Sequence, residues 1–127
     1  MTVLNIDEPG DDGLFGVHQL DRGDYKGSMG DGSMDMVGFD VEVAKDDLLK
    51  FYIVNNAPPV DIDFKPLDPA KAGGAQASVQ VFEHKRGSKD MKFKLSFENA
   101  AIRTPNRVAL TGDGGFVLTN DHSEKGN

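Results

Sequence analysis

Residues 104–122 contain the feature that most restricts how this chain can fold, two short apolar runs on either side of a glycine-rich turn. Residues 108–110 and 116–119 are mostly apolar and β-favouring. The turn between them, residues 112–115, contains three glycines, which readily adopt the positive φ angles of tight hairpins. The segment therefore predicts two antiparallel strands, with polar residues held where the strands begin and end.

An alternating pattern also opens the middle of the chain. Phe39, Val41 and Val43 fall on one side of an extended strand, and Asp40 and Glu42 fall on the other. This spacing predicts a half-buried strand whose apolar side faces a core. Further strands of the same kind are predicted over residues 48–54, 77–84 and 91–97, with turns at residues 46–47 and 86–88. The four strands together form an antiparallel meander.

The remaining segments lack regular periodicity. Residues 1–36 are rich in Asp and Gly and are predicted to be mostly loop, with one short strand near residues 14–20. Residues 55–76 contain four prolines and form a long connection, the type of loop that often carries function on a rigid scaffold. No segment predicts a helix of more than one turn, and the chain is therefore expected to be all β.

Composition excludes several classes of function. The formal net charge is −7, which disfavours binding to nucleic acid phosphates and to anionic membrane surfaces. The chain has no cysteine, so it cannot form a disulfide framework or use a thiolate as ligand or nucleophile. No apolar run approaches the roughly 20 residues that span a bilayer. The first residues lack the pattern of a signal peptide, so a secreted parent would carry its signal outside this chain.

Four segments together resemble a known family. They are Val37-Gly38-Phe39-Asp40-Val41, residues 51–56 (FYIVNN), residues 78–84 (SVQVFEH), and the Asn106 strand followed by Thr119-Asn120-Asp121-His122. In this order and spacing they are similar to the paraoxonase/arylesterase family and its fungal relatives, among the six-bladed calcium-dependent lactonase propellers. The resemblance covers roughly residues 36–125.

The resemblance implies an antiparallel four-stranded blade as the unit of the fold. Residues 37–97 would form one complete blade and residues 105–119 the first hairpin of the next, giving about one and a half to two and a half blades. A six-bladed ring needs more than twice as many strands. We therefore expect a fragment that docks on the remainder of the same propeller, supplied as a second polypeptide. The alternative is a small sandwich that closes on itself.

The resemblance also implies a calcium site. Asn106 matches an Asn that binds the catalytic calcium in the family, although a lone Asn before a strand more commonly caps a turn. The resemblance further implies that three residues would not bind calcium themselves but would hold its ligands in place: Asn120, Asp121 and His122. His122 is also a weak candidate for a catalytic base. His84, beside two basic residues, is expected to be exposed to solvent.

Three positions depart from the family pattern. Arg107 replaces an Asp that helps to hold a second, structural calcium, and a permanent cation cannot take that role. Val37 and Asn56 stand where the family has two histidines proposed to activate water. Neither residue titrates near neutral pH, so hydrolysis would need another base.

Two functions follow from the resemblance, and a third remains open. The first is part of a calcium-dependent hydrolase of lactones or aryl esters, in which the cation polarises the substrate carbonyl. The second is a propeller that lacks the histidine pair and binds a small-molecule ligand or catalyses a non-hydrolytic reaction. The third is a separate interaction fragment without activity.

Overall fold

The computed structural model describes residues 1–4, 18–27, 30, 32–63, 65–68 and 77–121. These residues contain no helix and form three antiparallel sheets, of two, four and two strands. The strands are β1 (Thr2–Val3), β2 (His18–Gln19), β3 (Met36–Lys45), β4 (Leu48–Asn55), β5 (Ser78–Lys85), β6 (Lys92–Phe97), β7 (Pro105–Leu110) and β8 (Phe116–Asn120). The predicted all-β class with antiparallel pairing is confirmed.

The central sheet is a meander in which β3, β4, β5 and β6 follow one another in chain order. The predicted turns at residues 46–47 and 86–88 both occur, at the same end of the sheet. They are tied together because the Arg86 amide donates to the Asp47 carbonyl at 2.8 Å and its Nε donates to the Asp46 carbonyl at 2.9 Å. The four strands predicted between residues 37 and 97 are therefore present as one sheet.

Strand alternation gives this sheet two apolar faces, and each face has its own core. On the first face, Val54 and Val79 are fully buried and pack with residues of β7 and β8. On the second face, Phe82 and Ile53 are buried beneath the N-terminal residues. Tyr25 closes this second core, with its ring 5.1 Å from that of Phe82 in an edge-on arrangement. The four-stranded sheet is thus the middle layer of three.

The predicted hairpin at residues 105–119 is present as β7 and β8, which extend to residue 120. Gly112 and Gly114 in its turn have φ angles of +84° and +90°, which L side chains rarely adopt. One side of the hairpin packs on the first core of the central sheet through four apolar side chains, Val108, Leu110, Phe116 and Leu118.

The prediction for the apolar side of β3 is wrong at two of its three positions. Phe39 is 50% exposed and Val43 is 61% exposed, and only Val41 packs on the second core. The N-terminal residues cover this face over β4, β5 and β6, and no described residue buries Phe39 or Val43. On the opposite side, Asp40 faces β7 and accepts a hydrogen bond from it. Alternation located the strand correctly, but it could not show which side would be covered.

Some predictions concern residues that the structure describes only in part. The predicted strand near residues 14–20 includes β2, whereas residues 14–17 lie outside the described residues. The long connection is described over residues 55–63 and 65–68, where Val60 and Pro66 form an isolated bridge. The single helical turn considered near residues 69–75 lies outside the described residues.

Candidate functional site

The first strands of the central sheet and of the second hairpin, β3 and β7, pass very close to each other. A Cβ atom added to Gly38 would lie 2.8 Å from the Asn106 carbonyl oxygen, closer than real Cβ contacts. Two residues further along β3, Asp40 accepts a hydrogen bond from the Leu110 amide at 2.8 Å. Gly38 lies beside Asn106 and Asp40 lies beside Leu110, so β3 and β7 run in the same direction. The two sheets pack on each other at this contact.

The Asp40 carboxylate stabilises this contact electrostatically. One oxygen accepts from the Leu110 amide and the other from the Val41 amide, each at 2.8 Å. The bond from Leu110, followed by that from Val41, lowers the pKa of Asp40 below its ordinary value. The carboxylate is therefore fully ionised at neutral pH and connects the two sheets through a charge-assisted hydrogen bond.

Asn106 lies at a bulge at the start of β7. Pro105 pairs with Asn120 and Arg107 pairs with Thr119, which leaves Asn106 without a direct partner in the ladder. Its Nδ2 donates to a carboxylate oxygen of Asp121 at 3.1 Å. Its amide oxygen accepts no hydrogen bond from the described residues and is available to a further partner.

Asn120 holds a loop in place. Its Oδ1 accepts hydrogen bonds from the amides of Arg103 and Thr104 at 3.0 and 3.3 Å, and its Nδ2 donates to the Ala101 carbonyl at 3.0 Å. Asn120 therefore fixes the loop before β7 and, with it, the position at which Asn106 begins its strand. Of the residues predicted to support a calcium site, Asp121 contacts Asn106 directly, Asn120 acts through the backbone, and His122 lies outside the described residues.

An open groove of about 480 Å³ lies beside the start of β3 and β7. It is lined by Met36, Val37, Gly38, Phe39, Asp40, Arg107 and Val108. Two positions that depart from the family pattern, Val37 and Arg107, thus share one groove. Asn56, the third, is absent from its lining. Its backbone amide donates to the Asp35 carbonyl at 2.8 Å, and its buried Oδ1 has no hydrogen-bond partner among the described residues.

Calcium would need more ligands than the described residues provide. The described part of the chain contains no group of three or more His, Cys, Asp or Glu side chains suited to a metal ion. At the start of β7 there is one free amide oxygen, from Asn106, and one carboxylate, from Asp121, that is bonded to the same amide. Calcium takes about six to eight oxygens. Asn106 therefore fits the role of a single ligand, and the remaining ligands would have to come from elsewhere.

The prediction that His84 is exposed is wrong. Its side chain is 6% exposed, and its Nδ1–H donates to the Asp90 carbonyl at 2.7 Å. The ring also lies 6.1 Å from that of Phe51. The chain after the turn at residues 86–87 folds back over His84, and the imidazole holds this loop in place. Its basic neighbours in sequence suggested exposure, but the return of the chain determines burial.

Sequence reasoning missed a row of buried polar residues across β4, β5 and β6. Gln80 Nε2 donates to the hydroxyl oxygens of Ser78 and Ser96 at 2.7 and 2.9 Å, and Asn55 Oδ1 accepts from the Asp35 amide at 2.9 Å. Asn55, Ser78 and Gln80 are each at most 6% exposed. The signal was present in the sequence, because Ser78 and Gln80 alternate with Val79 and Val81 at the start of β5.

Comparison of the chain with protein-family models, with curated proteins and with solved structures found no match. Among the described residues, no helix is long and apolar enough to cross a membrane. A function for this chain is therefore inferred from the site geometry and from the resemblance of the four sequence segments.

Proposed function

We propose that this chain forms part of a six-bladed β-propeller of the paraoxonase/arylesterase kind, a calcium-dependent hydrolase of lactones or aryl esters. The central sheet would be one complete blade, and β7 with β8 would be the first two strands of the next. The remainder of the ring would come from a second polypeptide. In this arrangement Asn106 contributes one oxygen ligand to calcium at the end of the central channel.

One observation carries the proposal: β3 and β7 run in the same direction and meet face to face, with Gly38 against the backbone of Asn106. In a propeller, the first strands of consecutive blades are related in this way around the channel. The contact also brings the Val-Gly-Phe-Asp segment and the Asn106 segment to one groove. These two segments, far apart in sequence, are among those that carry the resemblance.

The chain's own residues would prepare the calcium ligand. Asp121 holds the Nδ2 of Asn106, which fixes the rotation of the amide and leaves its oxygen free. Asn120 fixes the loop before the strand, and Gly38 allows β3 to approach closely. A bound calcium ion would polarise a carbonyl oxygen of the substrate and stabilise the charge that develops on it.

A second function is favoured by the residues at the two histidine positions. Val37 lines the groove, but it cannot accept a proton. Asn56 does not line the groove, and it cannot accept a proton near neutral pH either. A propeller with these residues would bind a small molecule in the groove, or would catalyse a reaction that needs no general base.

Calcium titration of paired Asn106 variants tests the metal role. We expect Asn106→Ala to lower calcium affinity at least tenfold, because it removes the ligand oxygen. Asn106→Asp keeps an oxygen at this position and should retain binding. It should also be less stable than the original chain in chelator, because two carboxylates then face each other. Isothermal titration calorimetry and thermal unfolding, with and without calcium, provide the two readouts. Equal calcium affinity in both variants and the original chain would exclude Asn106 as a ligand.

Restoring the two histidines separates the two functions. In the assembled protein, the double substitution Val37→His and Asn56→His should raise lactone hydrolysis if the groove is a hydrolase site lacking only its base. Single substitutions serve as controls, since a pair that acts as a unit should give little gain from either one. Unchanged hydrolysis in a folded, calcium-binding double variant would favour the ligand-binding function.

A further inference from the structure

Two exposed apolar faces point to opposite sides of the layered structure. The first, the front face, consists of Phe39 and Val43 on the side of β3 that points away from β7; they are 50% and 61% exposed. The second, the back face, consists of Ala109 and Val117 on the side of the second hairpin that points away from the central sheet. Val117 is 60% exposed. Exposed apolar side chains that lie together on one side of a strand mark a candidate interaction surface.

The two faces would continue a contact that the chain already makes. Within the chain, the first strand of the second hairpin packs on the central sheet through Val108 and Leu110. Phe39 and Val43 lie on the same side of β3 as Val41, which packs on the second core, but no described residue of another layer covers them. A hairpin packed on the front face would precede the central sheet, just as the second hairpin follows it. The back face is the free side of such a hairpin.

We infer that copies of this chain pack head to tail, with the back face of one copy against the front face of the next. The inference rests on the propeller arrangement proposed above, and it names the second polypeptide of that arrangement as another copy of this chain. Such a contact joins two different surfaces, so it closes into a ring when the rotation per copy divides a full turn.

The N-terminal strands are placed to share a blade with a neighbouring copy. β2 continues to Asp21, which bridges Asp90 beside the start of β6, and so lies at the outer side of the central sheet. Met1, next to β1, lines a cavity of about 350 Å³ with Met36 and Ile53, nearer to β3. Further inward, over the front face, no described residue of another layer covers Phe39 or Val43, and a two-stranded hairpin would fit there. The β7–β8 hairpin of another copy would supply the inner strands of that blade.

The number of strands fits ring closure. The described residues contain eight strands, four in the central sheet and two in each flanking hairpin. Each copy would therefore provide two blades, and three copies would provide the strands of six four-stranded blades, within the usual range for propellers. A threefold ring also addresses the incomplete metal site, because each copy would bring one Asn106 oxygen to the same end of the channel.

Cross-linking with engineered cysteines tests the contact, since the chain has none of its own. We would mix the single variants Val43→Cys and Val117→Cys and treat them with a short bismaleimide. The expected product is a heterodimer of the two variants, with little homodimer from either alone. Both positions are mostly exposed, so the variants should fold. Ile62→Cys, at a position 94% exposed and on neither face, is the matched control and should not link to Val117→Cys.

Native mass spectrometry gives the copy number. Three times the 13.7 kDa chain mass is expected, and Val117→Lys should convert the complex to folded monomers. The inference would be overturned if the protein were a monomer at all concentrations, or if one variant alone formed cross-linked homodimers. The measurement is made in chelator and again in calcium. A trimer that binds no calcium would support this inference and contradict the proposed function, whereas a calcium-binding complex of this chain with a different polypeptide would do the reverse.

Discussion

The middle of the central sheet and the second hairpin are built from similar residues but differ in how they are covered. Val54 in β4 is 0% exposed, while Val117 in β8 is 60% exposed. Both are valines in antiparallel strands, with the same intrinsic preference for extended structure. β4 and β5 lie between two layers, whereas the hairpin packs on one sheet among the residues that the structure describes. The comparison teaches that the number of covered faces, rather than β propensity, decides which strands form a core here.

The largest expected effect comes from creating a cavity in the region that is covered on both faces, the middle of the central sheet. Phe82→Ala removes a ring that is 0% exposed and contacts Tyr25 and Phe93 edge-on. We expect the free energy of unfolding to fall by about 3–5 kcal/mol, and Phe82→Leu to cost less because a smaller cavity remains. Urea unfolding followed by circular dichroism measures both. Ile62→Ala is the control, and a loss there as large as that at Phe82 would contradict the role assigned to burial.

A second prediction tests the contact that joins the two regions. Gly38→Ala places a Cβ 2.8 Å from the Asn106 carbonyl, so β3 and β7 must separate, at about 1–3 kcal/mol. Gly23→Ala is the comparison, because Gly23 has a positive φ of 58° but no neighbour within 4 Å. It should cost about 1 kcal/mol through backbone conformation alone. Amide exchange would distinguish them, since only Gly38→Ala should speed exchange at Leu110. Equal exchange in the two variants would argue against a close β3–β7 contact.

A third prediction concerns a substitution that weakens only the less covered region, the β7–β8 hairpin. Asn120→Ala removes the bonds that hold the loop before β7, and should destabilise the hairpin by about 1–2 kcal/mol. Asn120→Asp keeps an acceptor for the amides of Arg103 and Thr104 and should retain part of the stability. Exchange rates in β7 should rise while those in β5 stay unchanged. A uniform rise across both strands would show that the hairpin and the central sheet unfold together.

The smallest effect concerns the charge between the two regions. Because the pKa of folded Asp40 is lowered, its ionised carboxylate adds stability above the unfolded-state pKa of about 4. That stability is lost as pH falls through the folded-state pKa. Asp40→Asn should therefore cost about 0.5–1 kcal/mol at neutral pH and flatten the stability profile below about pH 4. Thermal unfolding across this range measures it. Asp63→Asn, at an exposed loop position, is the control, and an identical profile in both variants would remove the role of Asp40.

Several parts of the fold could be predicted because they depend on local pattern. Alternation located the strands of the central sheet, and the glycines located the turn between β7 and β8, since both signals arise from backbone geometry. Alternation did not show that Phe39 and Val43 would be exposed, because a strand has two sides and its sequence does not specify which one is covered. Nearby basic residues suggested an exposed His84, although the folded loop buries it.

The candidate site also combines features that the sequence predicts with features that only the tertiary structure shows. The sequence by itself determined the strands, the turns and the position of Asn106 at a strand end, because neighbouring residues set these features. Only the tertiary structure showed that Gly38 lies against Asn106, that Asn120 holds a loop, and that Asn56 does not line the groove beside Val37. These facts depend on how sheets stack, and stacking is decided by contacts between residues far apart in the chain.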